Sequence, residues 1–290
     1  QPRVATVREP ERGRRRAVRL SSVPRRLFAT PLAGAAIALL AGASAAHDFA
    51  LRPRFDLLVL FGVYALAVVA LEMRIAHAPP AEGFPWANAS LAAIGLTTGG
   101  IVVIALGWPA FWIVLALALL AVAFVAGPRL ADTALAGSVT ILALGPLISA
   151  GAALAVAGHV APAALAVGLP VGLLADAVRR AARTGARAAH RTLSPHAQPH
   201  DTPPASPWFA ADLLAAFGAV PVLVALGLLP WPAIACWLTL PLALAEPARA
   251  RTGVYAWGEA ATRVRRLHLV FGVLLAIAVL VARIIATRAV

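Results

Sequence analysis

Runs of Val, Leu and Ala long enough to cross a bilayer recur from one end of this chain to the other, separated by short segments rich in Arg, Pro, Gly and Trp. In hydrocarbon every backbone polar group must find its partner within its own segment, so such runs predict helices. They fall at about 27–46, 55–73, 89–106, 110–127, 134–157, 161–178, 208–229, 232–246 and 267–286, which predicts nine spanning helices. The tight connectors Gly107-Trp108-Pro109 and Leu229-Pro230-Trp231 predict antiparallel hairpins with Trp anchored at the interface. The fold class expected is an all-α polytopic membrane bundle, with residues 27–290 forming one transmembrane domain.

Composition supports this and adds an orientation. Of 290 residues, 61% are apolar and 13% charged, and the net charge of +13 comes from 25 Arg, with no Lys, against 12 acids. The Arg clusters sit between apolar runs, which points to lipid headgroups and positive-inside loops and away from a nucleic-acid partner. Residues 1–26 carry nine Arg with Pro and Ser and no apolar periodicity, and read as a disordered basic cytoplasmic tail. With that tail inside, the inner segments collect 21 Arg and the outer ones four, namely Arg52, Arg54, Arg283 and Arg288. The expectation is an integral protein of the cell (plasma) membrane with a cytoplasmic N-terminus. The first run also reads as a cleaved signal peptide, given Arg25-Arg26 before it and Ala43-Ser44-Ala45 at its end, but its length favours a retained helix. Cys236 is the only cysteine, so no intrachain disulfide forms, and it reads as a packed core residue.

Ionisable groups inside apolar runs are costly and mark candidate sites. Glu72, Asp176, Asp212 and Glu246 all fall near inner helix ends. They form either a cytoplasm-facing acidic cavity able to hold Mg²⁺ or carboxylates that reach the interface and pair with Arg such as Arg74 or Arg179. Arg179, Arg180, Arg183, Arg187 and Arg191 recur at three- and four-residue spacing and line one helical face. They suit either bidentate diphosphate binding or plain lipid contact. His190, His196, His200 and Asp201 lie in a Pro-rich loop without metal-ligand spacing, and His268 reads as an interfacial hydrogen-bonding residue. Gly95, Gly99, Gly100, Gly145 and Gly151 allow close helix approach. No phosphate loop, nucleophile elbow, His-Glu-x-x-His or dinucleotide fingerprint occurs, so soluble enzyme classes drop out.

Two stretches carry a resemblance. Gly127-Pro128-Arg129, Gly145-Pro146, Gly168-Leu169-Pro170-Val171-Gly172-Leu173-Leu174-Ala175 and His190-Arg191-Thr192-Leu193 form the first, and Leu240-Pro241-Leu242-Ala243-Leu244 with Arg266-Leu267-His268-Leu269-Val270-Phe271-Gly272 the second. Together they resemble the UbiA superfamily of intramembrane prenyltransferases, nearest the dihydroxynaphthoate polyprenyltransferases of menaquinone synthesis. In that family two Asp-rich motifs hold Mg²⁺ and the prenyl diphosphate. At the matching places this chain reads Leu71-Glu72-Met73-Arg74 and Asp176-Ala177-Val178-Arg179-Arg180-Ala181-Ala182-Arg183, without the Asp pairs.

The resemblance therefore implies a homologue that nominally transfers a polyprenyl chain from prenyl diphosphate to an aromatic quinone precursor. It implies Glu72 and Asp176 as metal ligands for Mg²⁺, and Arg179, Arg180 and Arg187 as diphosphate contacts. Isoprenoid diphosphate and an aromatic acceptor are the implied ligands, beside the lipid bilayer. The alternative is a non-catalytic membrane scaffold or isoprenoid-lipid-binding protein that kept the bundle and lost the metal cage.

Overall fold

A computed structural model describes residues 31–46, 53–77, 85–126, 134–192, 207–250 and 257–288. Among them every regular element is helical. Helix α1 covers Pro31–Ala45. It is followed by α2 (Phe55–His77), α3 (Pro85–Leu106) and α4 (Trp108–Ala126). Helix α5 (Ala134–Leu142) passes through a π-helical turn, Ala143–Leu147, directly into α6 (Ile148–Ala157). Then come α7 (Pro162–Thr192), α8 (Pro207–Ala225), a 3-10 segment (Trp231–Thr239) continuing into α9 (Leu240–Ala250), and α10 (Trp257–Arg288). Six of these helical rods are long and apolar enough to cross a membrane, and α1 and α4 contain shorter apolar stretches. The protein is an integral membrane protein built as a helical bundle.

Proline explains where regular α-helix gives way. A proline lacks the N–H that would bond the carbonyl four residues back. Pro146 lies inside the π turn, where the ladder is already re-registered. Pro221 inside α8 leaves the Phe217 carbonyl without its usual donor, and the indole N–H of Trp237 donates to it at 2.9 Å. That bond ties the 3-10 segment to α8. Replacing Trp237 with Phe keeps the ring and removes the donor, and is expected to cost about 1 kcal/mol in a thermal melt.

Helix α7 is the central rod, packed against α8, α10, α5 and the π turn. Its contact with α5 and the π turn is made by backbone, because Gly145, Gly168 and Gly172 face one another there. Helix α1 is tied in by Ser149 of α6, whose hydroxyl donates to the Ala38 carbonyl at 3.0 Å. The Tyr64 hydroxyl of α2 donates to the Val114 carbonyl of α4 at 2.5 Å. Gly158 closes α6 with φ 76°, a left-handed cap that glycine adopts without steric cost. Exposed Trp86 and Trp208 begin α3 and α8, while exposed Trp108, Trp112 and Trp231 lie at the opposite end of the rods. Aromatics at both ends of an apolar bundle match the two interfaces of a bilayer.

Three sequence expectations are corrected. The sixth run does not stop near residue 178, because α7 continues as helix to Thr192. The stretch 179–192 is therefore helix, where the boundaries drawn from hydropathy left it in an inner loop. The last helix starts at Trp257, well before the expected residue 267, because its first turns carry charge and escape a hydropathy reading. The eighth run opens as 3-10 structure, with Pro230 and Pro232 at its start and Pro241 at its end. The basic tail at 1–26 and the His190, His196, His200 and Asp201 side chains lie outside the described residues, as does the side chain of Arg187.

Candidate functional site

Helical spacing on α7 places Arg179 and Arg180 three and four residues beyond Asp176, on the same side of the rod. Asp176 is fully buried, and its two carboxylate oxygens are divided between them. Arg179 Nε donates to Oδ1 at 2.6 Å, and Arg180 Nε donates to Oδ2 at 2.7 Å. Arg180 Nε also donates at 2.7 Å to Oδ2 of Asp212, a buried residue in the second turn of α8. The two carboxylates lie within hydrogen-bonding reach of each other. One guanidinium thus bridges α7 and α8 through two buried acids.

Two further elements complete the cluster. Glu72, half-buried near the end of α2, lies within electrostatic reach of Arg183 and Arg179. On α5, Gly137 stands against the pair: a Cβ there would lie 2.5 Å from Arg180 Nη2 and 2.9 Å from Asp176 Oδ2. Glycine leaves room for the guanidinium between α5 and α7. The three acids Glu72, Asp176 and Asp212 face the three arginines Arg179, Arg180 and Arg183.

A separate group lies where α9 meets α10. Buried Glu246 accepts from Arg249 at 3.0 Å and from Arg263 at 2.9 Å, and Arg263 also reaches Glu259 at 3.4 Å. This group joins the end of α9 to the start of α10.

The expected Mg²⁺ ligands do not form a cage in this arrangement. Both oxygens of Asp176 are engaged by guanidinium, Glu72 faces arginines, and the described residues contain no group of three or more His, Cys, Asp or Glu side chains placed to hold a metal. A hard cation at Asp176 would have to displace two charge-assisted bonds, so the donor set present does not fit Mg²⁺. It is better matched to an anion, which would compete with the carboxylates for the same N–H groups.

Of the residues expected from sequence, Glu72, Asp176, Arg179 and Arg180 are gathered at one end of the bundle. Asp212 was legible as an acid at the same depth, but its bond to Arg180 spans 32 residues and has no local signal. His268 is 1% exposed, packed inside the bundle on a helix that begins at Trp257, about three turns before it. Cys236 is buried, as expected for a packed core residue.

No protein-family model matches the chain, and no curated protein matches it.

Proposed function

We propose that this protein is a nine-span, UbiA-like homologue of the plasma membrane that binds an isoprenoid diphosphate through Arg179 and Arg180, with its N-terminus in the cytoplasm. Its nominal reaction is transfer of a polyprenyl chain from the diphosphate to an aromatic quinone precursor. The observation that carries this reading is Arg180, held by buried Asp176 and Asp212 at the junction of α7, α8 and α5, with Arg179 and Arg183 beside it. Guanidinium is planar, always charged and suited to diphosphate oxygens. In a transferase these groups would neutralise the charge that grows on the departing diphosphate as the allylic C–O bond breaks.

A second reading has its own support. Arg179 and Arg180 are already engaged by the buried acids, so the cluster also serves as a structural lock in a non-catalytic scaffold or isoprenoid-lipid-binding protein. The two readings separate in nanodiscs. Binding predicts that a prenyl diphosphate raises the melting temperature of the wild-type protein with or without Mg²⁺, and that Arg180→Gln abolishes the rise. Asp212→Asn removes a carboxylate that competes for Arg180. Because one charged hydrogen bond contributes about 1.5–3 kcal/mol, this variant should bind diphosphate roughly tenfold more tightly. Transfer itself is read with labelled prenyl diphosphate and an aromatic acceptor. Absence of both a melting shift and turnover would leave only the scaffold.

A further inference from the structure

Helix α10 begins among charges and continues as an apolar rod, and Arg265 and Arg266 stand where one gives way to the other. Its first turns carry Glu259, Arg263, Arg265 and Arg266, and the end of α9 beside them adds Glu246 and Arg249. Four arginines thus meet two acids. Both acids are engaged by the other two arginines: Glu246 accepts from Arg249 and Arg263, and Glu259 from Arg263. Among the described residues no carboxylate pairs with Arg265 or Arg266. The local excess of positive charge is therefore carried by this pair, and guanidinium does not shed its proton.

Helical spacing sets what lies beyond the pair. Leu269 is four residues past Arg265 and three past Arg266, and Val270 is four past Arg266, so both follow the arginines on one face of the rod. That face continues through Val273 and Ile277, and all four apolar side chains are exposed, while Phe271 and Leu275 on the opposite face are buried. From Leu267 to Ala282 the chain carries no Arg, Asp or Glu. At 1.5 Å per residue this stretch rises about 24 Å, most of the thickness of a bilayer's hydrocarbon core. The two arginines therefore sit at the level of lipid phosphates, at the head of an exposed apolar strip that runs into the membrane.

A molecule that fits this surface joins an anionic oxygen group to long apolar chains. Guanidinium forks bind phosphate oxygens bidentately. A zwitterionic headgroup brings its own ammonium to its phosphate, so it gains less from two unpaired arginines than a headgroup of net negative charge. A soluble phosphate would use the arginines and leave the strip uncovered.

We propose that Arg265 and Arg266 hold the headgroup of one anionic glycerophospholipid, whose acyl chains lie along Leu269, Val270, Val273 and Ile277 of α10. The site is separate from the Asp176–Arg180 cluster and does not depend on the diphosphate reading.

The test is native mass spectrometry of the full chain, released from micelles that contain equal amounts of phosphatidylglycerol and phosphatidylcholine with identical acyl chains. The wild-type protein is expected to retain one phosphatidylglycerol about tenfold more often than phosphatidylcholine, a ratio that one charge-assisted hydrogen bond supports. Arg265→Gln/Arg266→Gln should lose this preference and still fold, because neither side chain holds an ion pair. Arg54→Gln/Arg283→Gln removes the same charge at the other end of the bundle and should retain phosphatidylglycerol as the wild type does. Excess sn-glycerol 3-phosphate should leave the lipid bound. Equal retention of the two lipids by the wild-type protein overturns the proposal, whatever the variants do. Equal loss of preference in both double variants also overturns it, by showing attraction to net charge without a site. Displacement of the lipid by glycerol phosphate overturns it as well, since the acyl chains would then contribute nothing.

Discussion

Asp176→Ala is expected to lower the stability of the bundle by about 3 kcal/mol, the low end of the range for breaking a buried ion pair from one side. Asp176 is fully buried and holds two guanidiniums that are themselves only 17% exposed at the side chain. Removing it strands positive charge where water is scarce, and the stranded groups account for most of the loss. Arg180 retains Asp212 and partial access to solvent, which is why the low end of that range applies. Asp176→Asn keeps the shape and one acceptor and should lose less. Unfolding in mixed micelles, followed by helix signal or by protease access, gives the measurement. The double variant Asp176→Ala/Arg180→Leu should recover part of the loss, since it removes the strandee with its partner. A loss below about 1 kcal/mol for Asp176→Ala would show that these bonds behave as exposed ones do.

The second large effect is steric. Gly172→Val is expected to destabilise by about 3 kcal/mol or prevent insertion of a folded bundle, because its side chain would meet the backbone of Ile141 rather than a movable group. Gly168 is placed likewise: a Cβ there would lie 2.6 Å from both the Gly145 carbonyl carbon and the Pro146 nitrogen. In lipid, helix association depends on such close backbone approach, because the surroundings are as apolar as the side chains. Gly100 and Gly218 are the controls. A Cβ at either meets nothing within 4 Å, so Ala there should be neutral or stabilising by about 0.5–1 kcal/mol, the ordinary gain over helical glycine. If Gly172→Val melts like Gly218→Ala, the backbone contact of α5 with α7 is absent in the membrane.

Much of this architecture was legible in the chain. Each apolar run expected from residue 27 to 286 coincides with a helical rod, because a hydrocarbon solvent leaves the backbone almost no other choice. The boundaries that moved are those where charge enters a helix. Arg179 to Arg191 look like loop by hydropathy yet continue α7, since arginine is a good helix former whose long stem lets its charge reach water. Gly145, beside Pro146, was readable as a packing position, but that it would meet the backbone of Gly168 and Gly172 was not.

What the sequence determined by itself is the class of solvent and the local conformation: a helical membrane protein with most of its arginines gathered toward one set of helix ends. Those properties depend on residues near one another in the chain. Only the tertiary structure decided that Arg180 is shared by Asp176 and Asp212, that Gly137 makes room for it, and that His268 is buried with one nitrogen unpaired. These depend on how rods far apart in sequence are rotated about their axes, and packing sets that rotation while hydropathy is blind to it.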